Sequence, residues 1–306
     1  MQGKDILSAF DFGKEDFLRL FKEAQICEKA KTLRIAQDKM AITMFLEPST
    51  RTRLSFTGAM LKLGGKVLDF GSIEASALMK GESFEDTITM LDGYDPDVII
   101  MRHKVEGSAK IAAEVSKHPV INGGDGTHEH PTQALTDLYT MFKIFGKIDG
   151  LRVALAGDLK HGRTLSSLSY ALTMFKGVKL YCVAPSELQI RPEVLETIKG
   201  KIDFESYNSV EDVEDEIDVL YVTRVQRERF ADPKEYERMK GSYIINPPLL
   251  KKLKKIPIVM HPLPRVDEIT TDVDSMPQAK YFEQARNGIY VRMALLSAVM
   301  GLKIPT

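Results

Sequence analysis

Short, continuous apolar runs alternate along this chain with segments whose apolar residues recur every three or four positions. The runs are Ala41 to Leu46, Val67 to Phe70, Val98 to Met101, Val120 to Asn122, Val153 to Ala156, Leu180 to Val183, Val219 to Val222, Tyr243 to Ile245 and Ile258 to Met260. Runs of that length without polar alternation predict strands buried on both faces, as in parallel sheets covered by helices. Helical spacing predicts an amino-terminal helix around Phe17 to Ala30. It also groups Leu54, Phe56, Met60 and Leu63 on one helix that Gly64-Gly65 stops. A further helix, about Thr132 to Phe145, is closed by the turn residues Gly146 to Gly150, which mark a hinge, and the last helix spans about Ala285 to Met300. The expected fold class is therefore α/β, with two domains, each a mostly parallel β-sheet flanked by helices, and an active site in the cleft between them.

The polar clusters sit where such sheets gather ligands, beyond the carboxyl ends of the strands. Ser49-Thr50-Arg51-Thr52 follows the first strand and falls at a helix start, where unpaired N–H groups and the helix dipole favour an anion. Three hydroxyls and a planar guanidinium add donors matched to phosphate oxygens, beyond what a helix cap with a surface arginine requires. Arg102-His103 follows the third run, and Gly123 to His130 follows the fourth. Gly157 to Thr164, Arg224-Val225-Gln226 and His261 to Arg265 follow the fifth, seventh and ninth. Gly157 to Thr164 has nearly the spacing of a nucleotide P-loop, but Asp158 would place a carboxylate against polyphosphate, so that reading is rejected. His128-Glu129-His130 carries metal-ligand types without a clear third ligand. Pro131 suits the first turn of a helix, and a histidine at that positive end is favoured as neutral imidazole. The long loop from Gly71 to Ser83 brings Ser76 and Lys80, the latter a cation on a flexible stem.

Composition narrows the function classes. A formal net charge of −1 on 306 residues argues against nucleic acid as a partner, and the length accommodates two full-sized cores. The amino terminus lacks an apolar signal core, and the Ile289 to Met300 stretch contains Arg292 and is too short to span a bilayer, so a cytoplasmic protein without membrane association is expected. Cys27 and Cys182 read as small core residues. No metal or organic cofactor is expected.

Ser49-Thr50-Arg51-Thr52-Arg53, His130-Pro131-Thr132-Gln133, Gly157 to Thr164 and His261-Pro262-Leu263-Pro264-Arg265-Val266-Asp267-Glu268 together resemble the aspartate/ornithine carbamoyltransferase family, almost end to end. Pro262 stands where the ornithine branch typically carries cysteine, which favours the aspartate branch. The resemblance implies a carbamoyl-phosphate domain over 1–132 with 287–306 and an aspartate domain over 133–286. It also implies a homotrimer whose Ser76 and Lys80 enter a neighbour's site, and a possible association with a regulatory chain. By the same resemblance, Ser49, Thr50, Arg51, Thr52, Arg102, Ser76 and Lys80 would hold the phosphate and Gln133 the carbamoyl NH2. Thr52, Arg102 and His130 would stabilise the oxyanion, with Lys80 also catalytic. Arg163, Arg224, Gln226 and Lys80 would bind the acceptor's carboxylates, while carbonyls near Pro262 and Leu263 accept from an amine; a cis Leu263–Pro264 bond would aim them inward. Relatives often have a second basic residue where Met79 stands, so Lys80 alone is carried over. Glu47 and Arg229 suit domain-closure contacts. Two rivals remain: a transcarbamylase using another amine such as ornithine, for which two cationic side chains are ill suited, and an inactive phosphate-binding scaffold, against which Arg102, His130, Gln133 and Lys80 argue.

Overall fold

The computed structural model describes residues 1–71, 80–226, 234 and 243–305. They form two compact units, Met1–Tyr139 with Arg286–Thr306, and Thr140–Ala285. The first unit is built on a four-stranded parallel sheet of β1 (Met40–Phe45), β2 (Lys66–Asp69), β3 (Val98–His103) and β4 (Val120–Asp125), in the order β2-β1-β3-β4. Helices α1 (Lys14–Ala30), α2 (Thr50–Lys62), α3 (Phe84–Asp92) and α4 (Ser108–Val115) belong to it. Helix α5 (Pro131–Phe145) begins in this unit and continues into the second. The second unit carries a five-stranded parallel sheet of β5 (Arg152–Ala156), β6 (Lys179–Val183), β7 (Asp203–Tyr207), β8 (Val219–Val222) and β9 (Ile258–Met260), ordered β7-β6-β5-β8-β9. Its helices are α6 (Arg163–Leu172), α7 (Pro192–Ile198) and α8 (Pro247–Lys252), and α9 (Tyr281–Val299) starts there and ends in the first unit.

The buried runs explain the strands. Ile42, Met44, Ile99, Met101 and Val120 share one core cluster in the first sheet; Ala154, Ala156, Leu220, Val222 and Val259 share one in the second. Each fully buried Ile, Val or Leu contributes roughly 1.5–3 kcal/mol relative to exposure. The strand order creates a switch point in each sheet: β1 leads outward to β2 while β3 leads to β4 on the other side, and β5 leads to β6 while β8 leads to β9. A crevice opens at the carboxyl ends of such strand pairs.

Several elements depart from the sequence pattern for identifiable reasons. Tyr243 to Ile245 is not a strand, since Ile245 makes only an isolated bridge to Ile269. Strand β7, Asp-Phe-Glu-Ser-Tyr, lies at the sheet edge with a mostly exposed surface, so it lacks the apolar run that marks the inner strands. Leu54 is 62% exposed despite its helical spacing, because α2 turns Phe56, Ala59 and Met60 to the core and leaves Leu54 and Leu61 outside. Strands β3 and β4 also run further than the apolar residues indicate, taking in Arg102, His103 and Gly123 to Asp125.

Gly157, at the exit of β5, has φ +121°, and a Cβ there would lie 2.2 Å from the Thr223 carbonyl oxygen and 2.8 Å from the Tyr243 hydroxyl. Only glycine lets the β5 and β8 exits approach this closely. Gly157→Ala should destabilise the fold by about 2–4 kcal/mol in urea unfolding through strain plus overpacking. Gly177 also has positive φ, +65°, but its Cβ would meet nothing nearer than 3.9 Å, so Gly177→Ala should cost only about 1 kcal/mol. Equal losses for the two variants would contradict the close approach.

Candidate functional site

The first unit assembles its candidate residues around the β1–β3 switch point. Thr50, Arg51 and Thr52 form the first turn of α2, and the Ser49 side chain at its N-cap makes no capping hydrogen bond. Thr50 and Arg51 are exposed and Thr52 is buried. The two arginines of this segment diverge: Arg53 is tied to Asp69 at the end of β2, with Nε 2.9 Å from the carboxylate, and Thr43 donates to the same group at 2.8 Å. Asp69 thereby makes Arg53 part of the scaffold.

Arg102 lies next to Phe45 in the β1–β3 register, so its half-buried side chain emerges beside the α2 start. Its guanidinium donates to the Gly123 carbonyl and to Glu47, both at 3.4 Å. A Cβ at Gly123 would sit 3.0 Å from the Met101 carbonyl, tighter than ordinary contact, so the β3 and β4 ends approach closely there. His130, buried and immediately before α5, has Nε2 3.3 Å from the Thr52 hydroxyl and Nδ1 3.4 Å from that of Thr132. One turn on, Gln133 donates its Nε2 to Asp137 at 2.7 Å. That bond identifies the amide oxygen as the accepting end, as a carbamoyl NH2 group would need. Thr52, Arg102, His130 and Gln133 therefore belong to adjoining strand ends and helix starts of one unit.

Glu129 is committed elsewhere, accepting from Ser8 at 2.5 Å and from the Ala9 N–H at 2.9 Å. His128 faces Asp125 at 3.1 Å. The two imidazoles and the carboxylate of this segment thus turn to separate partners, and among the described residues no cluster of three or more side chains that could hold a metal ion occurs.

In the second unit, Arg163 is the first residue of α6 after β5, and Arg224 and Gln226 follow β8, all half-buried. Asp158 joins the two loops. Fully buried, it accepts from the His161 N–H and lies 3.0 Å from His161 Nδ1, while its other oxygen accepts from the Gln226 N–H at 3.3 Å. Gln226 Nε2 returns a bond to the His161 carbonyl at 3.1 Å. The sequence pattern gives Asp158 no such role; its buried, loop-bridging position depends on β5 and β8 being neighbours. Pro262 and Leu263 follow β9, and the Leu263–Pro264 peptide is cis, as the sequence reading allowed. Lys80 is described and exposed, whereas Ser76 and Arg229 lie outside the described residues.

Both halves match one family of models: residues 4–143 match the carbamoyl-phosphate-binding domain of aspartate/ornithine carbamoyltransferases, and residues 149–299 match the aspartate/ornithine-binding domain. The chain belongs to the aspartate/ornithine carbamoyltransferase family. Among relatives, it is 49% identical over 302 residues to the aspartate carbamoyltransferase catalytic subunit of Methanocaldococcus jannaschii, covering 97% of this chain and 98% of that one. It is 51% identical over 301 residues to the corresponding subunit of Pyrobaculum calidifontis, with 97% and 98% covered. Its structure is similar to aspartate transcarbamoylase from Trypanosoma cruzi in complex with carbamoyl phosphate and aspartate, with a TM-score of 0.92, 39% identity and 97% of each chain covered. No described helix is long and apolar enough to cross a membrane.

A feature of the first unit with a measurable consequence is the Asp125 carboxylate at the end of β4. Burial pushes its pKa up, but hydrogen bonds with His128, Asn122 and the Gly107 N–H outweigh burial and hold it below the ordinary carboxylate value. A depressed folded-state pKa stabilises the fold above the unfolded value near ~3.9, and that contribution is lost as pH falls through the folded value. In urea titrations, wild type should therefore exceed Asp125→Asn by most at about pH 5–6 and by progressively less toward about pH 3. A difference that holds constant or grows in acid would contradict the assignment.

Proposed function

We propose that this chain transfers the carbamoyl group of carbamoyl phosphate to the α-amine of L-aspartate, giving N-carbamoyl-L-aspartate and phosphate, a step of pyrimidine biosynthesis. The observation that carries the reading is the cluster of hydroxyls and Arg51 at the start of α2, with His130 against Thr52 and Arg102 beside Phe45 at the end of β1. Family membership and the similarity to aspartate carbamoyltransferases over nearly the whole chain support the same reaction. Ser49, Thr50, Arg51 and Thr52 bind the phosphate with Arg102, through charge-assisted hydrogen bonds that a dianion strengthens. The Gln133 oxygen accepts from the carbamoyl NH2. Thr52, Arg102 and His130 donate to the carbonyl oxygen, whose charge develops as the amine nitrogen attacks the carbon. Collapse of that tetrahedral adduct breaks the carbon–oxygen bond to phosphate, which leaves with the electron pair and takes the amine proton. No protein base is required in this sequence. Arg163, Arg224 and Gln226 bind the two carboxylates of aspartate, and carbonyls at Pro262 and Leu263 accept from its amine.

The reading extends to a cytoplasmic homotrimer in which Ser76 and Lys80 of one chain complete a neighbour's site. A groove of about 660 Å³ in the first unit supports it, lined by Ser49 and Thr50 beside the exposed Leu54 and Leu61, an apolar surface next to the phosphate donors. A chain that is fully active as a monomer by native mass measurement would contradict the shared site.

The two substrate halves separate in mutants. Arg51→Ala should weaken carbamoyl-phosphate use by about 30-fold to 150-fold, the worth of a charge-assisted contact of roughly 2–3 kcal/mol. Arg224→Ala should raise the aspartate requirement steeply, by about 30-fold or more, while calorimetric binding of carbamoyl phosphate alone stays nearly unchanged. Loss of carbamoyl-phosphate binding in Arg224→Ala, or wild-type kinetics in Arg51→Ala, would overturn these assignments.

A further inference from the structure

The loop after β9 contains a buried imidazole–carboxylate pair that is itself given no substrate role above, yet holds the backbone of a residue that is. His261 is 1% exposed and Glu268 is 3% exposed. His261 Nε2 lies 2.7 Å from Glu268 Oε1, and His261 Nδ1 accepts the Leu263 N–H at 2.8 Å. The second oxygen of Glu268 accepts from the N–H groups of Val266 and Asp267, both at 3.1 Å. The His261 N–H donates to the side-chain oxygen of Gln284 in α9 at 2.9 Å, anchoring the loop's start to a helix. Leu263 itself has φ +56°, a left-handed conformation that a leucine rarely adopts without being held.

These bonds fix a tautomer. A backbone N–H can only donate, so Nδ1 of His261 must be the accepting nitrogen, and the proton resides on Nε2, facing the Glu268 carboxylate. A proton on Nδ1 would oppose the Leu263 N–H and remove the bond that holds that residue. Burial pushes the Glu268 pKa up, but the close His261 imidazole and the backbone N–H groups outweigh it and hold the carboxyl below its ordinary value, so it stays an acceptor. The arrangement is a relay: carboxylate sets imidazole tautomer, imidazole sets the Leu263 backbone.

We propose that His261 and Glu268 are positioning residues for the acceptor amino acid, holding Leu263 in the left-handed geometry that presents the Pro262 and Leu263 carbonyls to its amine. The proposal rests on the aspartate carbamoyltransferase reading and adds to it the pair that shapes the acceptor's amine contact. It predicts an effect on one substrate only, because the carbamoyl-phosphate donors belong to other segments.

Three variants separate this role from a general need for a well-packed loop. Glu268→Gln keeps size and shape but turns its NH2 toward His261, which drives the imidazole proton to Nδ1 and opposes the Leu263 N–H. His261→Ala deletes the acceptor, whereas His261→Asn keeps an oxygen two residues before Leu263 that can accept the same N–H. Steady-state kinetics should show the aspartate KM raised about 10-fold to 100-fold in Glu268→Gln and His261→Ala, with His261→Asn several-fold closer to wild type. Carbamoyl-phosphate affinity by calorimetry should stay within about twofold in all three. Nitrogen-15 NMR should find the His261 proton on Nε2 in wild type and on Nδ1 in Glu268→Gln. An active wild type beside a Glu268→Gln variant with unchanged aspartate KM would overturn the positioning role alone, as would equal losses in His261→Asn and His261→Ala or a parallel fall in carbamoyl-phosphate affinity. A wild-type chain that releases no phosphate with aspartate would instead overturn the functional reading.

Discussion

Parallel strands end on one side of a sheet, and where neighbouring strands send their connections in opposite directions a crevice must open between them. Each unit of this chain has one such point, between β1 and β3 in the first and between β5 and β8 in the second. Every described residue to which a substrate role is proposed leaves those strands, or β4 and β9 beside them, or, for Lys80, the segment after β2. The constraint also supplies charge: α2, α5 and α6 begin at these exits, and helix starts present unpaired N–H groups. Helix starts favour an anion from topology alone, and Arg51 and Arg163 stand in the first turns of α2 and α6.

Buried carboxylates hold several of these exit loops. Asp125, Asp158 and Glu268 are each 3% exposed or less, and each accepts backbone N–H groups from its own or a neighbouring loop. An ionised carboxylate is expensive to bury unless its oxygens are satisfied. Once satisfied, it fixes loop backbone more firmly than apolar packing can, because a shifted loop would leave a buried charge without partners. Rigid exits of this kind suit a reaction without a protein base, where the chain's contribution is to orient two anions and to donate to one developing oxyanion.

The α/β class, both parallel sheets and eight of the nine strands among the described residues are legible from apolar runs and their spacing, since burial on both faces writes itself directly into composition. Strand β7 is not legible, because an edge strand with exposed Asp203, Glu205 and Ser206 has no apolar pattern to read. The phosphate-binding segment stands out because hydroxyls and arginine concentrate at one helix start. Arg53 could not be told from Arg51 by sequence, since only the β1–β2 pairing brings Asp69 within reach of it. Asp158 and Glu268 belong to the family-like segments, but what they do depends on which strand ends adjoin and on hydrogen bonds from backbone N–H groups, neither of which a linear pattern records.

The central claim is that the two sets of strand-end cations serve one reaction with a dicarboxylate acceptor. Its most direct measurement is phosphate release from carbamoyl phosphate by the purified wild-type chain with aspartate, asparagine, glutamate, ornithine or no acceptor. Aspartate should support turnover, asparagine should fall by roughly 30-fold or more in specificity because one guanidinium loses its partner, and ornithine should match the rate without acceptor. Phosphate release that is independent of acceptor, or faster with ornithine than with aspartate, would contradict the account.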